Sequence, residues 1–218
     1  MFERVFRKLG YYTEREANRM FKPEAAAYQF YCEYLGPEDV VLEAGAYRGY
    51  TTVGLLVNVA KFVYALEPDP DNFRHLRDNC RGLEDHIRPL NLGLSDREEV
   101  REVRGRGSYS NFVKDLPKGG ATARLVSLDS LNLDPSPTVL VLDCEGMEHL
   151  VIDGARKTIE RSVHSTLVEI HEDTEPMVRD ALKRAGLADI EVHESGWSRP
   201  WRPDEYHDRW VAARRPQG

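Results

Sequence analysis

The chain has 218 residues, of which 41% are hydrophobic and 31% charged, and its formal net charge is −7. This composition is ordinary for a soluble globular protein, and the length suits one domain with a sizeable core. The acidic balance disfavours nonspecific nucleic-acid binding, which depends on neutralising phosphates. No apolar run approaches the roughly 18 residues of a membrane span, so we expect neither a nucleic-acid partner nor a transmembrane segment.

The cysteines and the N-terminus indicate the cellular compartment. Cys32, Cys80 and Cys144 are scattered and odd in number, which argues against a disulfide framework and against a metal-binding pair. Residues 1–8 lack the apolar core of a signal peptide. We therefore expect a reduced, cytoplasmic location.

Residues 1–37 are predicted to be helical. The first 22 form a basic amphipathic pattern, with apolar side chains at helical spacing: Phe2, Val5, Phe6 and Leu9. Such a helix can lie on an anionic membrane surface, but packing on the domain or forming part of a lid is favoured. Pro23 is a suitable start for a second helix. We predict that residues 1–37 cap a ligand site in a domain formed by residues 38–218.

The stretch VVLEAGAYRG, residues 40–49, is central to the prediction. It begins as the apolar run of a buried parallel strand, and the next residues have the pattern of a helix. A glycine turn between the two lets backbone N–H groups approach a ligand, because no Cβ blocks the way. A dinucleotide site requires G-x-G-x-x-G, whereas here Glu43 precedes Gly45 and Gly49. A carboxylate there would repel a pyrophosphate and suits a cationic, amine-bearing ligand such as S-adenosylmethionine (SAM).

A second acid follows at the end of the next predicted strand, residues 61–67. Glu67 precedes Pro68, and a carboxylate at that strand end can accept hydrogen bonds from both ribose hydroxyls of a nucleoside. NAD sites also bind the ribose hydroxyls with a carboxylate at this strand end. Glu67 therefore predicts a nucleoside, and Glu43 with Gly45 favours SAM.

The remaining elements alternate between strand and helix. Strands are predicted at 86–92, 100–103, 122–129, 138–142, 165–170, 189–193 and 210–213, and helices at 70–79, 149–159 and 175–185. In the last helix Met177 is expected to face the sheet. Residues 104–121, rich in Gly, Ser and Arg, are predicted to form a substrate loop. The alternation predicts an α/β fold with a doubly wound, mostly parallel sheet.

Two neighbouring strands end in groups that can carry chemistry. Ligands of open α/β sheets bind outside the carboxyl ends of the strands, so we expect Asp143, Glu145, Glu169 and His171 at the site. His171 is the candidate general base, because its unperturbed pKa lies near neutrality. Asp143, Glu169 and His171 could also converge on a divalent ion, but the ligand spacing is weak and no metal is expected. Glu148 is predicted to stabilise the start of the following helix.

Four segments resemble the FkbM-type branch of class I SAM-dependent methyltransferases: residues 42–51, 65–70, 92–96 and 140–148. The family usually has Asp where this chain has Glu43 and Asn where it has Tyr47. The resemblance implies a Rossmann-like sheet with a terminal antiparallel hairpin, S-adenosyl-L-methionine as cofactor, and a small-molecule or sugar acceptor. The implied cofactor-binding residues are Glu43, Gly45, Ala46, Tyr47, Gly49, Thr51, Glu67, Pro68, Ser95 and Asp96.

Three functions stay open at this point. The favoured one is a SAM-dependent methyltransferase acting on a hydroxyl oxygen of a small molecule or sugar. An NAD-dependent oxidoreductase is disfavoured by the missing G-x-G-x-x-G. A noncatalytic nucleoside-binding relative is kept open by the departures at Glu43 and Tyr47, and opposed by the intact Glu67, Asp143 and Glu145. The sequence carries no signal for the oligomeric state.

Overall fold

A computed structural model describes residues 30–103, 121–171, 174–198 and 207–216. The strands are β1 (Val40–Ala44), β2 (Phe62–Leu66), β3 (Ile87–Leu90), β4 (Gly93–Leu94), β5 (Glu99–Glu102), β6 (Thr122–Val126), β7 (Val139–Leu142), β8 (Ser165–Ile170), β9 (Asp189–Ser198) and β10 (His207–Arg214). The helices are α1 (π-helical over Thr52–Leu56, then α-helical over Val57–Val59), α2 (Pro70–Asn79), α3 (Glu148–Asp153), α4 (Arg156–Ser162) and α5 (Glu175–Arg184).

Seven strands form one sheet with the order β3-β2-β1-β7-β8-β10-β9. The first five of these pair in parallel, whereas β10 runs antiparallel to both β8 and β9. The predicted α/β sheet with its terminal antiparallel hairpin is thus confirmed. The strand order reverses between β1 and β7, which creates the switch point where open α/β sheets bind ligands.

The central strands are covered on both faces. Every residue of β1, β7 and β8 is buried, as expected of continuous apolar runs in parallel strands. Alternate residues enter two separate clusters: Leu42 and Leu140 belong to one, and Val41 and Val141 to the other. Of the described helices, none is long and apolar enough to cross a membrane.

A smaller sheet with the order β4-β6-β5 lies beside the main one. β4 pairs in parallel with β6, and β5 pairs antiparallel with it. The sequence predicted strands near these positions but not their association. The predicted substrate loop between β5 and β6 lies, apart from Ala121, outside the described residues.

The predicted helix over residues 149–159 is two helices, α3 and α4. Gly154 separates them, and a Cβ on Gly154 would collide with the carbonyl oxygen of Ser95. Asp129 caps the start of α4, because its carboxylate accepts the backbone N–H groups of Lys157 (3.0 Å) and Thr158 (2.8 Å). The break therefore arises from contacts with segments distant in sequence.

The predicted inward orientation of Met177 in α5 is wrong. Met177 is 46% exposed, whereas Val178, Ala181 and Leu182 are buried. These three lie at i, i+3 and i+4 and so share one face of the helix, about 100° away from Met177.

Residues 30–34 are the described end of the predicted N-terminal helical segment. The rings of Phe30 and Tyr31 each lie 5.9 Å from that of Trp210, and the Tyr34 hydroxyl donates to Glu191 Oε2 at 2.8 Å. This end therefore packs on the terminal hairpin. Residues 1–29 lie outside the described residues, so the predicted cap over the ligand site stays a prediction.

Candidate active site

A cleft opens at the carboxyl ends of β1, β2 and β7. The space inside it, counted with its open mouth, is about 620 Å³. It is lined by Ala44, Gly45 and Tyr47 after β1, by Leu66, Glu67, Pro68 and Asn72 after β2, by Leu92, Gly93 and Leu94 after β3, and by Asp143, Cys144, Glu145 and Met147 after β7. The cleft thus lies at the switch point of the sheet.

Backbone hydrogen bonds fix the glycine turn after β1 to the end of β2. The N–H groups of Gly45 and Ala46 both donate to the carbonyl oxygen of Leu66, at 3.0 and 2.9 Å. Gly45 has φ +88°, and a Cβ there would collide with the carbonyl oxygen of Asp143. Gly49 has φ +82°, and a Cβ there would lie 2.6 Å from Leu76 Cδ1. Both glycines are needed because the turn packs against β7 on one side and α2 on the other.

Gly45→Ala is expected to destabilise the protein by about 2–5 kcal/mol, the sum of a left-handed backbone cost and an overpacking cost. Gly82→Ala is the matched control, because Gly82 has a similar φ of +80° but nothing within 4 Å of the added Cβ. Urea unfolding should show a loss of about 1–2 kcal/mol for this control. Equal losses in the two variants would contradict the close approach of Gly45 to Asp143.

Tyr47 occupies the position where the resembled family usually has Asn. Its φ is +51°, a left-handed conformation in which Asn is several-fold enriched. The conformation lets the Tyr47 N–H donate to Glu67 Oε2 at 2.8 Å. Tyr47 in place of Asn therefore still allows the left-handed backbone and its hydrogen bond to Glu67. It also puts an aromatic residue in the wall of the cleft.

Glu67 is fixed at the cleft by two backbone donors. Oε2 accepts from Tyr47, and Oε1 accepts from the N–H of Asp69 at 2.8 Å. Burial raises the pKa of this carboxyl to about 8, although the two hydrogen bonds oppose the shift. Each carboxylate oxygen has a second lone pair, so both can accept hydroxyl donors from a ligand. The predicted contact of Glu67 with a ribose stays a prediction.

Glu43 lies beneath the glycine turn and does not line the cleft. Its carboxylate accepts a hydrogen bond from the Thr52 hydroxyl, and burial raises its pKa to about 7. Thr51, which was also predicted to bind the cofactor and which precedes Thr52, does not line the cleft either. The predicted contact of Glu43 with the amino group of a ligand stays a prediction.

Ser95 and Asp96 do not line the cleft. The Ser95 hydroxyl is buried within hydrogen-bond distance of Asp96 Oδ1 (3.2 Å) and Glu99 Oε1 (3.0 Å), while Asp96 pairs with Arg97 at the surface. Their predicted role in cofactor binding stays a prediction. The three residues before them, Leu92–Leu94, line the cleft instead.

Several residues of the cleft wall were not predicted as site residues: Ala44, Leu66, Asn72, Leu92–Leu94, Cys144 and Met147. Asn72 offered a signal, because it precedes Leu76 by four residues and so places a polar side chain on the buried face of α2. Met147 carried no signal, since its position depends on the turn after β7.

His171 does not itself line the cleft, but it lies beside carboxylates that follow β7, two of which do. His171 comes directly after β8, and its Nε2 lies 3.4 Å from Asp143 Oδ1 and 3.7 Å from Glu145 Oε2. Its Nδ1 lies 3.0 Å from Glu148 Oε1. Glu145 has φ +50° and Gly146 has φ +95°, so the chain turns sharply here and returns Glu145 toward Asp143.

Glu148 is the first residue of α3, one residue before the predicted start of this helix, and its side chain is fully buried. Oε1 accepts the N–H groups of Cys144 (2.9 Å) and Gly146 (3.1 Å). The carboxylate therefore holds the turn that carries Glu145, in addition to its contact with His171.

The surroundings of His171 determine its protonation. Burial alone would lower its pKa, but hydrogen bonds and charges from Asp143 and Glu148 raise the pKa to about 12. In this arrangement the ring is an imidazolium at neutral pH and has no free nitrogen to accept a proton. The predicted general-base role would first require that this proton be displaced.

Glu169 does not join this group. It lies inside β8, opposite Trp210 in the sheet, and is 5% exposed. The described residues contain one group of three side chains whose ligand atoms all lie within 4.8 Å: Asp143, Glu145 and His171. The convergence that the sequence predicted thus involves Glu145 in place of Glu169.

Both a family profile and a characterised protein are similar in sequence to most of this chain. The profile of the methyltransferase FkbM domain matches residues 43–187. The hexuronic acid methyltransferase AglP of Haloferax volcanii is 29% identical over 160 residues, which cover 69% of this chain and 64% of that protein. The chain therefore spans slightly less than two-thirds of this relative's length.

Solved structures share the fold. A methyltransferase FkbM from Methylobacillus flagellatus superposes with a TM-score of 0.57 at 16% identity, covering 97% of this chain and 57% of that chain. A Streptococcus pneumoniae protein solved in complex with SAM has a TM-score of 0.54 at 11% identity, covering 88% of this chain and 73% of its own. The family profile matches well over half of the sequence, including the glycine turn, Glu67 and the residues around His171. The chain belongs to the FkbM methyltransferase family.

Proposed function

We propose that this protein is a SAM-dependent methyltransferase that methylates an oxygen atom of a hexuronic acid or of a glycan that carries one. The observation that carries the proposal is the shared cleft. Glu67, a fixed carboxylate suited to a ribose, faces the same cleft as Asp143 and Glu145, which stand beside His171. The sugar-acid acceptor is supported by the similarity to a hexuronic acid methyltransferase.

The cleft residues fit the parts of SAM. Glu67 would accept the two ribose hydroxyls, and the apolar side chains of Pro68, Leu92 and Leu94 would pack against the adenine. The methionine part would follow the glycine turn at Gly45 toward Asp143, since both residues line the cleft. When bound, SAM supplies an activated methyl group on its sulfonium.

The protein's main contribution would be to hold the acceptor oxygen in line with the methyl group. Positioning of this kind contributes on the order of 7–11 kcal/mol. If the acceptor oxygen is a carboxylate, it is already a nucleophile and needs no base. If it is a hydroxyl, the carboxylates of Asp143 and Glu145 are placed at the cleft to accept its proton.

The direct test is an assay with the purified protein, SAM and hexuronic acids, free and nucleotide-activated. We expect release of S-adenosylhomocysteine and a product heavier by one methylene unit in mass spectrometry. The matched neutral hexoses serve as controls and should react poorly. Binding of NAD with no binding of SAM or S-adenosylhomocysteine in calorimetry would reject the proposal in favour of an oxidoreductase.

SAM affinity is expected to depend on pH through Glu67. Its pKa of about 8 means that the free protein carries a proton on this carboxyl at neutral pH, whereas ribose donors favour the ionised form. The proton must leave on binding, so affinity should rise about tenfold per pH unit up to about pH 8 and then level off. Calorimetry in buffers of different ionisation enthalpy should detect close to one proton released at about pH 7.

The control for this pH dependence is Glu43→Gln. Glu43 also has a raised pKa, of about 7, but does not line the cleft, so this variant should keep most of the dependence. Glu67→Gln should remove it. A SAM affinity that stays constant from acid to alkaline pH would show that Glu67 does not bind the ribose in its ionised form.

A further inference from the structure

Asp143, Glu145 and His171 are arranged like ligands of a single metal ion. Their ligand atoms all lie within 4.8 Å of one another, and His171 Nε2 is 3.4 Å from Asp143 Oδ1 and 3.7 Å from Glu145 Oε2. Atoms that each bind one cation at roughly 2.0–2.6 Å are separated by distances of this order. One ion could therefore contact all three groups with little movement of the backbone.

A second observation comes from Glu148, which is fully buried behind His171. Its Oε1 lies 3.0 Å from His171 Nδ1, and its Oε2 has no hydrogen-bond partner among the described residues. A histidine that binds a metal usually donates its other ring N–H to a carboxylate, which fixes the direction of the ligating nitrogen. Glu148 stands in that position and directs Nε2 toward Asp143 and Glu145.

The charge of the group is consistent with a cation. Asp143, Glu145 and Glu148 place three carboxyl groups around one imidazole ring, and a cation bound at Nε2 would take the place of the proton that the ring carries without metal. Burying an incompletely compensated carboxylate is costly, and a divalent ion would reduce that cost.

We propose that Asp143, Glu145 and His171 bind one divalent cation of the Mg²⁺ or Mn²⁺ type at the acceptor side of the cleft. Two carboxylate oxygens and one imidazole nitrogen are ligands that such ions accept. Asp143 and Glu145 also line the cleft, so the remaining coordination positions face the space for an acceptor.

A cation at this position would offset the electrostatic repulsion between the proposed acceptor and the site. A hexuronate is an anion, and the carboxylates of Asp143 and Glu145 alone would repel it. A divalent ion between them could bind the acceptor's carboxylate and a neighbouring hydroxyl together. This bridging role rests on the proposed function, whereas binding of the ion does not.

Binding can be measured with Mn²⁺ alone, on the full chain after removal of metal by a chelator. Electron paramagnetic resonance should show the loss of the free Mn²⁺ signal with one ion bound per chain. Glu145→Gln and Asp143→Asn should each weaken binding at least tenfold. Glu148→Gln, which changes a positioning residue, should weaken it roughly 10- to 100-fold.

Asp85→Asn is the matched control, because Asp85 is exposed and removing its charge leaves the cleft unchanged. It should bind Mn²⁺ like the unaltered chain. Unchanged SAM affinity in Glu145→Gln would show that the cofactor part of the cleft is still folded. Absence of Mn²⁺ binding up to millimolar concentration, or binding that neither Glu145→Gln nor Asp143→Asn weakens, would overturn the proposal.

The two proposals can fail separately. Methylation of a hexuronate that continues unchanged in excess chelator would reject the bridging role of the cation and leave the proposed function standing. Tight, site-dependent Mn²⁺ binding without methylation of any hexuronate would reject the acceptor class and support the cation site.

Discussion

Glu67→Ala is expected to weaken SAM binding about a thousandfold, because it removes two charge-assisted hydrogen bonds of roughly 2 kcal/mol each. The change also removes the acceptor for the N–H groups of Tyr47 and Asp69, which holds the glycine turn against the end of β2. Calorimetric titration with SAM and S-adenosylhomocysteine measures both effects on affinity. We expect the two ligands to lose affinity to a similar extent, since both carry the same ribose.

Asp85→Ala provides the comparison for Glu67→Ala, because it deletes an exposed carboxylate outside the cleft. Its SAM affinity should equal that of the unaltered chain. Circular dichroism and urea unfolding would show whether Glu67→Ala remains folded. A folded Glu67→Ala protein that binds SAM within about threefold of normal, less than 1 kcal/mol, would show that the ribose binds elsewhere.

His171→Ala is expected to reduce methyl transfer on the order of 10²-fold, because loss of the ring misplaces Asp143 and Glu145, while leaving SAM affinity nearly unchanged. His171 lies beside Asp143 and Glu145, whereas Glu67 follows β2; in the proposed function these are the acceptor side and the nucleoside side of the cleft. The loss should therefore appear in turnover with a saturating acceptor. Single-turnover kinetics with preformed protein–SAM complex would separate this loss from any change in cofactor binding.

The same variant also tests the structure around Glu148. Removing His171 leaves a fully buried carboxylate without its ion pair, so His171→Ala should lose about 3–5 kcal/mol of stability. His86→Ala is the control, since His86 is an exposed histidine outside the cleft. A folded His171→Ala enzyme with unchanged turnover would remove His171 from the catalytic site.

Local sequence patterns were sufficient for the parts of the fold that depend on nearby residues. The apolar runs predicted β8 at its observed bounds and β1 closely, because central parallel strands are buried on both faces. The Asp69-Pro70 pair likewise marked the start of α2, where the Asp69 carboxylate accepts the N–H groups of Asp71 and Asn72. Glu67 was placed correctly at the cleft because it directly follows a strand.

Positions that depend on contacts between distant segments could not be predicted in this way. Ser95 and Asp96 directly follow a strand too, but that strand, β4, belongs to the smaller sheet, and the two residues do not line the cleft. Similarly, α3 and α4 are separate because Gly154 meets the backbone at Ser95. Neither contact leaves a signal in local spacing.

The sequence by itself therefore determined the order of strands and helices, the position of Glu67 at the cleft and the identity of the ionisable residues that follow β7 and β8. Only the tertiary structure decided which of those residues meet. Glu169 and His171 are two positions apart, yet one is enclosed within β8 and the other stands just past its end. Glu145 reaches His171 because Glu148 folds back and holds the turn after β7. Side-chain convergence of this kind depends on where two strands end relative to each other, and local periodicity does not encode that relation.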